Sequence, residues 1–151
     1  MTDISTHWRP LPHIRTKALA LVWRDDALLV CAIRNDDGSI KGWRPLGGTV
    51  EFGERAAETV LRELAEELNA TAQVTQPRGT LENIYIHHGE TGHEVVFLFD
   101  VTLTVPGLAA PDEFILTEDD GSRHLAAWVP LNRFTSGTEP LFPDGLLPLL
   151  I

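Results

Sequence analysis

The stretch from Gly48 to Ala70, GTVEFGERAAETVLRELAEELNA, constrains this chain more than any other. Ala57, Val60, Leu61, Leu64 and Leu68 recur at helical spacing, so residues 55–68 should form a helix with a single apolar stripe. At ~100° per residue, Glu63, Glu66 and Glu67 fall within roughly a 100° arc beside that stripe. Carboxylates this close repel one another by roughly a few tenths of a kcal/mol per helical pair. A cation relieves that repulsion, and hard oxygen ligands suit magnesium, manganese or calcium. For three glutamates alone, a solvated helix face is the plainer reading. Their neighbours favour a site. The Gly47-Gly48 pair lets backbone carbonyls approach a ligand closely, and Arg62 can pair with Glu54 or Glu58 to hold the loop against the helix. Asn69 follows the last apolar residue and tolerates the left-handed conformation that ends helices.

The 151 residues have the length of one domain, spanning 1–151, with Pro10 and Pro12 making 1–15 an extended lead-in. Lys17 to Trp23 and Ala27 to Arg34 read as strands, the second apolar enough to be central. Gln73 to His88 and Glu94 to Val105 read as strands joined by a hairpin at Gly89-Glu90-Thr91-Gly92. Pro106 to Ser122 reads as an acidic loop, Arg123 to Val129 as a last strand, and Leu131 to Phe134 and Gly145 to Leu150 as short helical pieces. Strands on both sides of a central helix predict an α/β sandwich with a mixed sheet. The net charge of −10 disfavours nonspecific binding to long nucleic acid or anionic membranes. No run reaches membrane-spanning length, and a lone Cys31 in an apolar strand suits a reducing, cytoplasmic setting. The C-terminal GLLPLLI should pack on the body or on a second subunit.

Gly48, then Glu54, then Arg62-Glu63-Leu64-Ala65-Glu66-Glu67 resembles the Nudix box, G-x5-E-x7-R-E-U-x-E-E-x-G-U. Six fixed residues make a chance match about one in ten million per start position. Asn69 replaces the box glycine and Ala70 its large aliphatic residue, while every acid is kept; upstream, Pro45-Leu46 inverts the Leu-Pro order of many members. The resemblance implies a Nudix-like α/β/α sandwich with a mixed central sheet. It also implies hydrolysis of the diphosphate bond of a nucleoside diphosphate linked to another moiety, with Mg2+, or alternatively Mn2+, as the metal. Carried over by position, Glu66 and Glu67 are metal ligands with the Gly47 carbonyl as a third. Glu63 is either a ligand or the base that takes a proton from the attacking water, and Arg62 and Glu54 are positioning members of the catalytic set.

Outside the box, Glu94 is the leading candidate for a further metal-binding acid, ahead of Asp119 and Asp120. Arg44, just before the glycines, is the best-placed phosphate grip, with Gly48 beside it and Arg15 and Arg34 as further cations. His87, His88 and His93 flank a hairpin, where exposed polar residues are common. Trp23, Trp43, Tyr85 and Trp128 are stacking candidates, although large aromatics are more often core. The expected partner is a small nucleoside diphosphate derivative, and a homodimer, common in the family, is left open. A nucleotide-binding module without turnover is the rival reading; no P-loop motif is present.

Overall fold

The computed structural model describes residues 7–104, 110–118 and 120–151. Residues 7–13 carry no regular structure, and the first strand starts at Ile14, inside the expected lead-in. In chain order the elements are β1 (Ile14–Leu21), β2 (Trp23–Arg24), β3 (Ala27–Arg34), β4 (Ile40–Pro45), β5 (Gly47–Thr49) and α1 (Ala56–Leu68). There follow β6 (Ala72–His87), β7 (Glu90–Leu103), β8 (Glu113–Thr117), β9 (Arg123–Pro130), α2 (Leu131–Thr135) and α3 (Leu147–Leu150).

One sheet runs β5-β1-β7-β6 and is mixed, because β1 and β7 are parallel while the other pairs are antiparallel. The second runs β2-β3-β9-β8, with β4 beyond β2 along the edge of β3 that faces away from β9. Both sides of these strands are covered, which is why most of β3 and the second half of β1, from Ala18 on, are apolar. Beneath α1, Val60 and Leu64 pack with Ala18, Ala20, Leu29 and Ala126. On the opposite side Phe134 of α2 and Leu146, beside α3, pack with Leu19, Leu21, Val96 and Leu98. Each fully buried Val or Leu contributes roughly 1.5–3 kcal/mol of transfer free energy. The architecture is the expected α/β sandwich with a mixed sheet. Leu147 and Leu150 of GLLPLLI pack against the protein's own core, leaving Leu149 and Ile151 exposed.

Two expectations are corrected. The β6–β7 hairpin turns at His88 and Gly89 alone, both at positive φ (49° and 83°), so Glu90 to Gly92 already belong to β7. A two-residue turn of this kind matches the twist of its strands better than a four-residue tip. The segment 106–122 is not one loop: Glu113–Thr117 pairs with Arg123–Ala127 as strand β8. Phe114 and Leu116 of that strand reach the α1-side core, and that burial holds it in place. Residues 105–109 and Asp119 lie outside the described residues.

Asn69 ends α1 in the left-handed region (φ 50°, ψ 39°), its N–H donating to the Ala65 carbonyl. Asn69→Gly should therefore shift stability by less than about 1 kcal/mol, measured by denaturant unfolding, because Asn already adopts this conformation readily. A larger loss would reveal a side-chain contact specific to Asn69.

Candidate functional site

Arg62, on α1, organises the box. Its Nε donates to Glu54 Oε2 at 2.8 Å and its Nη2 to Glu54 Oε1 at 3.0 Å, a two-pronged pairing. Nη1 donates to Glu63 Oε1 at 3.0 Å, and Nη2 also reaches the Thr49 carbonyl at 3.2 Å. Glu54 further accepts the Thr59 hydroxyl at 2.6 Å, and these donors, Arg62 first, hold its carboxyl at about 2. Of the two partners open to Arg62, Glu54 is the one used; Glu58 instead accepts the Arg55 backbone N–H at 3.0 Å at the helix start. The loop and the helix are thus tied by one guanidinium.

Glu63 is buried, and Gly48 lies so close to it that a Cβ there would fall 2.2 Å from Glu63 Oε1. Only glycine leaves that carboxylate its room. Glu63, Glu67 and Glu118 each offer an oxygen within 4.8 Å of the others. Burial first, then Glu63 and Glu118, pushes Glu67 far above the ordinary carboxylate range. Burial and Glu63 raise Glu118 as well. Acids crowded until one must hold a proton form a fitting donor set for a hard divalent cation.

The remaining candidates lie elsewhere. Glu66 is exposed and sits 3.5 Å from Arg62, outside the three-carboxylate group. Glu94, on β7, lies in a cross-strand row between Asn83 of β6 and Arg15 of β1. It accepts from Asn83 Nδ2 at 3.2 Å and faces Arg15 at 4.0 Å; the structure does not bring it into the acid group. Gly47 occupies the β5 strand beside Leu19 of β1. Asp120 caps its own turn by accepting from Ser122. His87, His88 and His93 do not form a metal-ligand group; such groups among the described residues reduce to the three glutamates.

A cleft of about 1220 Å³ opens between β1, β3 and β6. Glu118 lines it, joining it to the acid group. Arg15, Lys17, Arg34 and Arg44 line its walls. Lys17 was missed: it is only 7% exposed, and burial, then Arg44 and Arg15, lower its pKa to about 7. No hydrogen bond to its ammonium is found among the described residues, so an anion entering the cleft would gain from it. Trp43 and Trp128 belong to the core, whereas Tyr85 lines the cleft. Cys31 lies along the cleft with its thiol pushed up to about 12 by burial, too high for a nucleophile near neutral pH.

The NUDIX domain family profile matches residues 13–150. The chain belongs to the Nudix family. Among Nudix relatives, the nucleoside triphosphatase NudI of Escherichia coli O139:H28 (strain E24377A / ETEC) is 40% identical over 63 residues. That alignment covers 41% of this chain and 45% of the relative, so the match spans under half the length of that protein. A NUDIX hydrolase from Nitrosomonas europaea shares the fold with a TM-score of 0.64 and 16% identity, over 91% of this chain and 86% of that one. A MutT NUDIX hydrolase from Burkholderia pseudomallei gives 0.61 and 20%, over 91% and 97%. Two acids of the Nudix box, Glu63 and Glu67, are among the three carboxylates that the fold brings together. Glu118 lies outside the box, on a loop that β8 carries to the helix, and the sequence reading passed over it. Its one sequence signal was the short run Glu113-Phe-Ile-Leu-Thr117, whose apolar residues are those of a strand.

Proposed function

We propose that this chain is a metal-dependent hydrolase that cleaves the diphosphate bond of a nucleoside diphosphate linked to another moiety. A nucleoside triphosphate, in which that moiety is a further phosphate, is the first substrate to try, since the NudI relative carries that activity in its name. The observation that carries the reading is the meeting of Glu63, Glu67 and Glu118 at one end of a cleft lined with cations. Glu63, Glu67 and Glu118 would hold a divalent ion, Mg2+ or Mn2+, with Glu66 and the Gly47 carbonyl as further donors; Glu94 is left out of that set. Such an ion, when bound, offsets phosphate charge and lowers the pKa of water.

The side chains do the rest. Arg62 orients the Glu63 carboxylate, and Glu54 in turn fixes Arg62, so Glu63 presents a defined oxygen for taking a proton from the attacking water. Lys17 and Arg44 attract the phosphate chain and favour the charge that spreads over its oxygens as the bond breaks. Gly48 contributes by occupying no space. A cytoplasmic setting, which the lone Cys31 suits, is part of the same proposal.

The test is chromatography of products from nucleoside triphosphates, nucleotide sugars, ADP-ribose and dinucleoside polyphosphates, with magnesium or with EDTA. Cleavage at a diphosphate bond that disappears in EDTA is the expected result. Nucleotide binding without cleavage across the panel would overturn the hydrolase reading and favour a binding module.

A further inference from the structure

We infer that Trp8 is the platform on which the substrate's nucleobase stacks. The inference rests on the nucleotide reading above and extends it to a residue upstream of the region that matches the family. Trp8 is 44% exposed, yet it lines the cleft rather than facing away from it. Its ring lies 5.2 Å from the Arg15 guanidinium and 5.6 Å from the His87 ring, tilted 51° to the latter. The neighbouring residue fixes this placement. Arg9 Nη1 donates to Asp36 Oδ1 at 2.9 Å and Nη2 to Asp36 Oδ2, while Nη1 also donates to the Trp8 carbonyl at 2.9 Å. Asp36 lies in the turn between β3 and β4, so the segment is pinned across the cleft mouth, and Pro10 behind it is buried. A large aromatic held half-open over a cleft leaves apolar area in water that a planar ligand would cover.

The order of side chains along the cleft says which part of a nucleotide arrives there. Lys17 pairs with Thr49 of the box, and Arg15, two residues back on the same face of β1, lies about 6–7 Å further out. Trp8 sits against Arg15, and Tyr85, on strand β6, lines the same cleft. The Tyr85 ring lies over Gly92, where a Cβ would approach within 2.2 Å of Cζ. Acids, then cations, then aromatics follow one another outward. Phosphates held at the Lys17 end bring the base to Trp8 and Tyr85, with Asn83 and Glu94 between them offering a polar row to the sugar or base edge.

Calorimetric titration of nucleoside monophosphates and of inorganic pyrophosphate, each with magnesium, into wild type, Trp8→Ala, Trp8→Phe and Arg9→Ala tests this. Trp8→Ala should weaken monophosphate binding about 10- to 100-fold, the range expected for loss of one base–aromatic stack. Trp8→Phe should recover most of the loss, Arg9→Ala should fall between, and pyrophosphate should change less than about 3-fold throughout. Unchanged monophosphate affinity in Trp8→Ala overturns the inference, as does an equal loss for pyrophosphate or a wild type that binds no monophosphate. The readout needs no turnover, so it fails or succeeds separately from the hydrolase reading. A protein that binds bases through Trp8 but cleaves nothing sinks only the latter.

Discussion

Glu67→Gln should lower kcat by at least about 10²- to 10³-fold at saturating magnesium, the several kcal/mol expected when a ligand of a catalytic ion is lost. The same substitution should leave the metal-free protein at least as stable as wild type. Buried beside Glu63 and Glu118, the Glu67 carboxyl already favours its neutral form, and glutamine reproduces that neutral shape. What glutamine lacks is the ability to give up a proton and receive a cation. Thermal unfolding with EDTA and with magnesium separates the two effects. Wild type should gain stability with magnesium, as any ligand that binds only the folded state confers, and Glu67→Gln should gain little. Near-wild-type turnover in Glu67→Gln would remove Glu67 from the ligand set.

Gly48→Ala is the second large effect, and it acts without touching charge. The new Cβ would lie 2.2 Å from Glu63 Oε1 and 2.4 Å from its Cδ. The obstructing atoms are the far end of a flexible side chain, so the carboxylate swings aside and stability falls by less than about 1 kcal/mol. Function suffers instead. A catalytic group displaced by about 1 Å can cost about 10²-fold in rate, and the Arg62–Glu63 hydrogen bond would be broken as well. Turnover assayed beside denaturant unfolding should show this split. At Gly47 the outcome differs: a Cβ would meet the Ala18 backbone oxygen at 2.0 Å, which cannot swing away, so Gly47→Ala strikes the strand pairing itself.

Legibility followed the range of the interactions. Helix α1 and its acids could be read because apolar spacing, the arginine pairing and the terminal Asn69 all act within a few residues of one another. The pairing of Arg62 with Glu54 was readable as one of two options, and a count of turns could not choose between them. Glu118 was hidden because its place is set by the pairing of β8 with β9, and the approach to that strand, with Pro106, Gly107 and Pro111, looks like loop. Glu94 shows the converse. Its place in a strand was legible, but that strand begins earlier, at Glu90, and only the registers of β7 with β1 and with β6 show that Arg15 and Asn83 are its partners. Lys17 passed as an ordinary strand residue because burial depends on what covers it. Trp8 belongs to no periodic pattern, and what places it is long-range: the Arg9 ion pair to a distant turn and the packing against Arg15 and His87.

Glu63 and Glu67 lie on the helix, whereas Glu118 arrives from a strand formed much later in the chain. An emerging polypeptide carries two of the three acids long before the third has been made. The proposed ion site thus matures only when the β8–β9 ribbon has closed over α1. Cation affinity becomes a gauge of completed folding, and a bound ion would in turn latch that ribbon, slowing amide exchange along β8 and its partner β9.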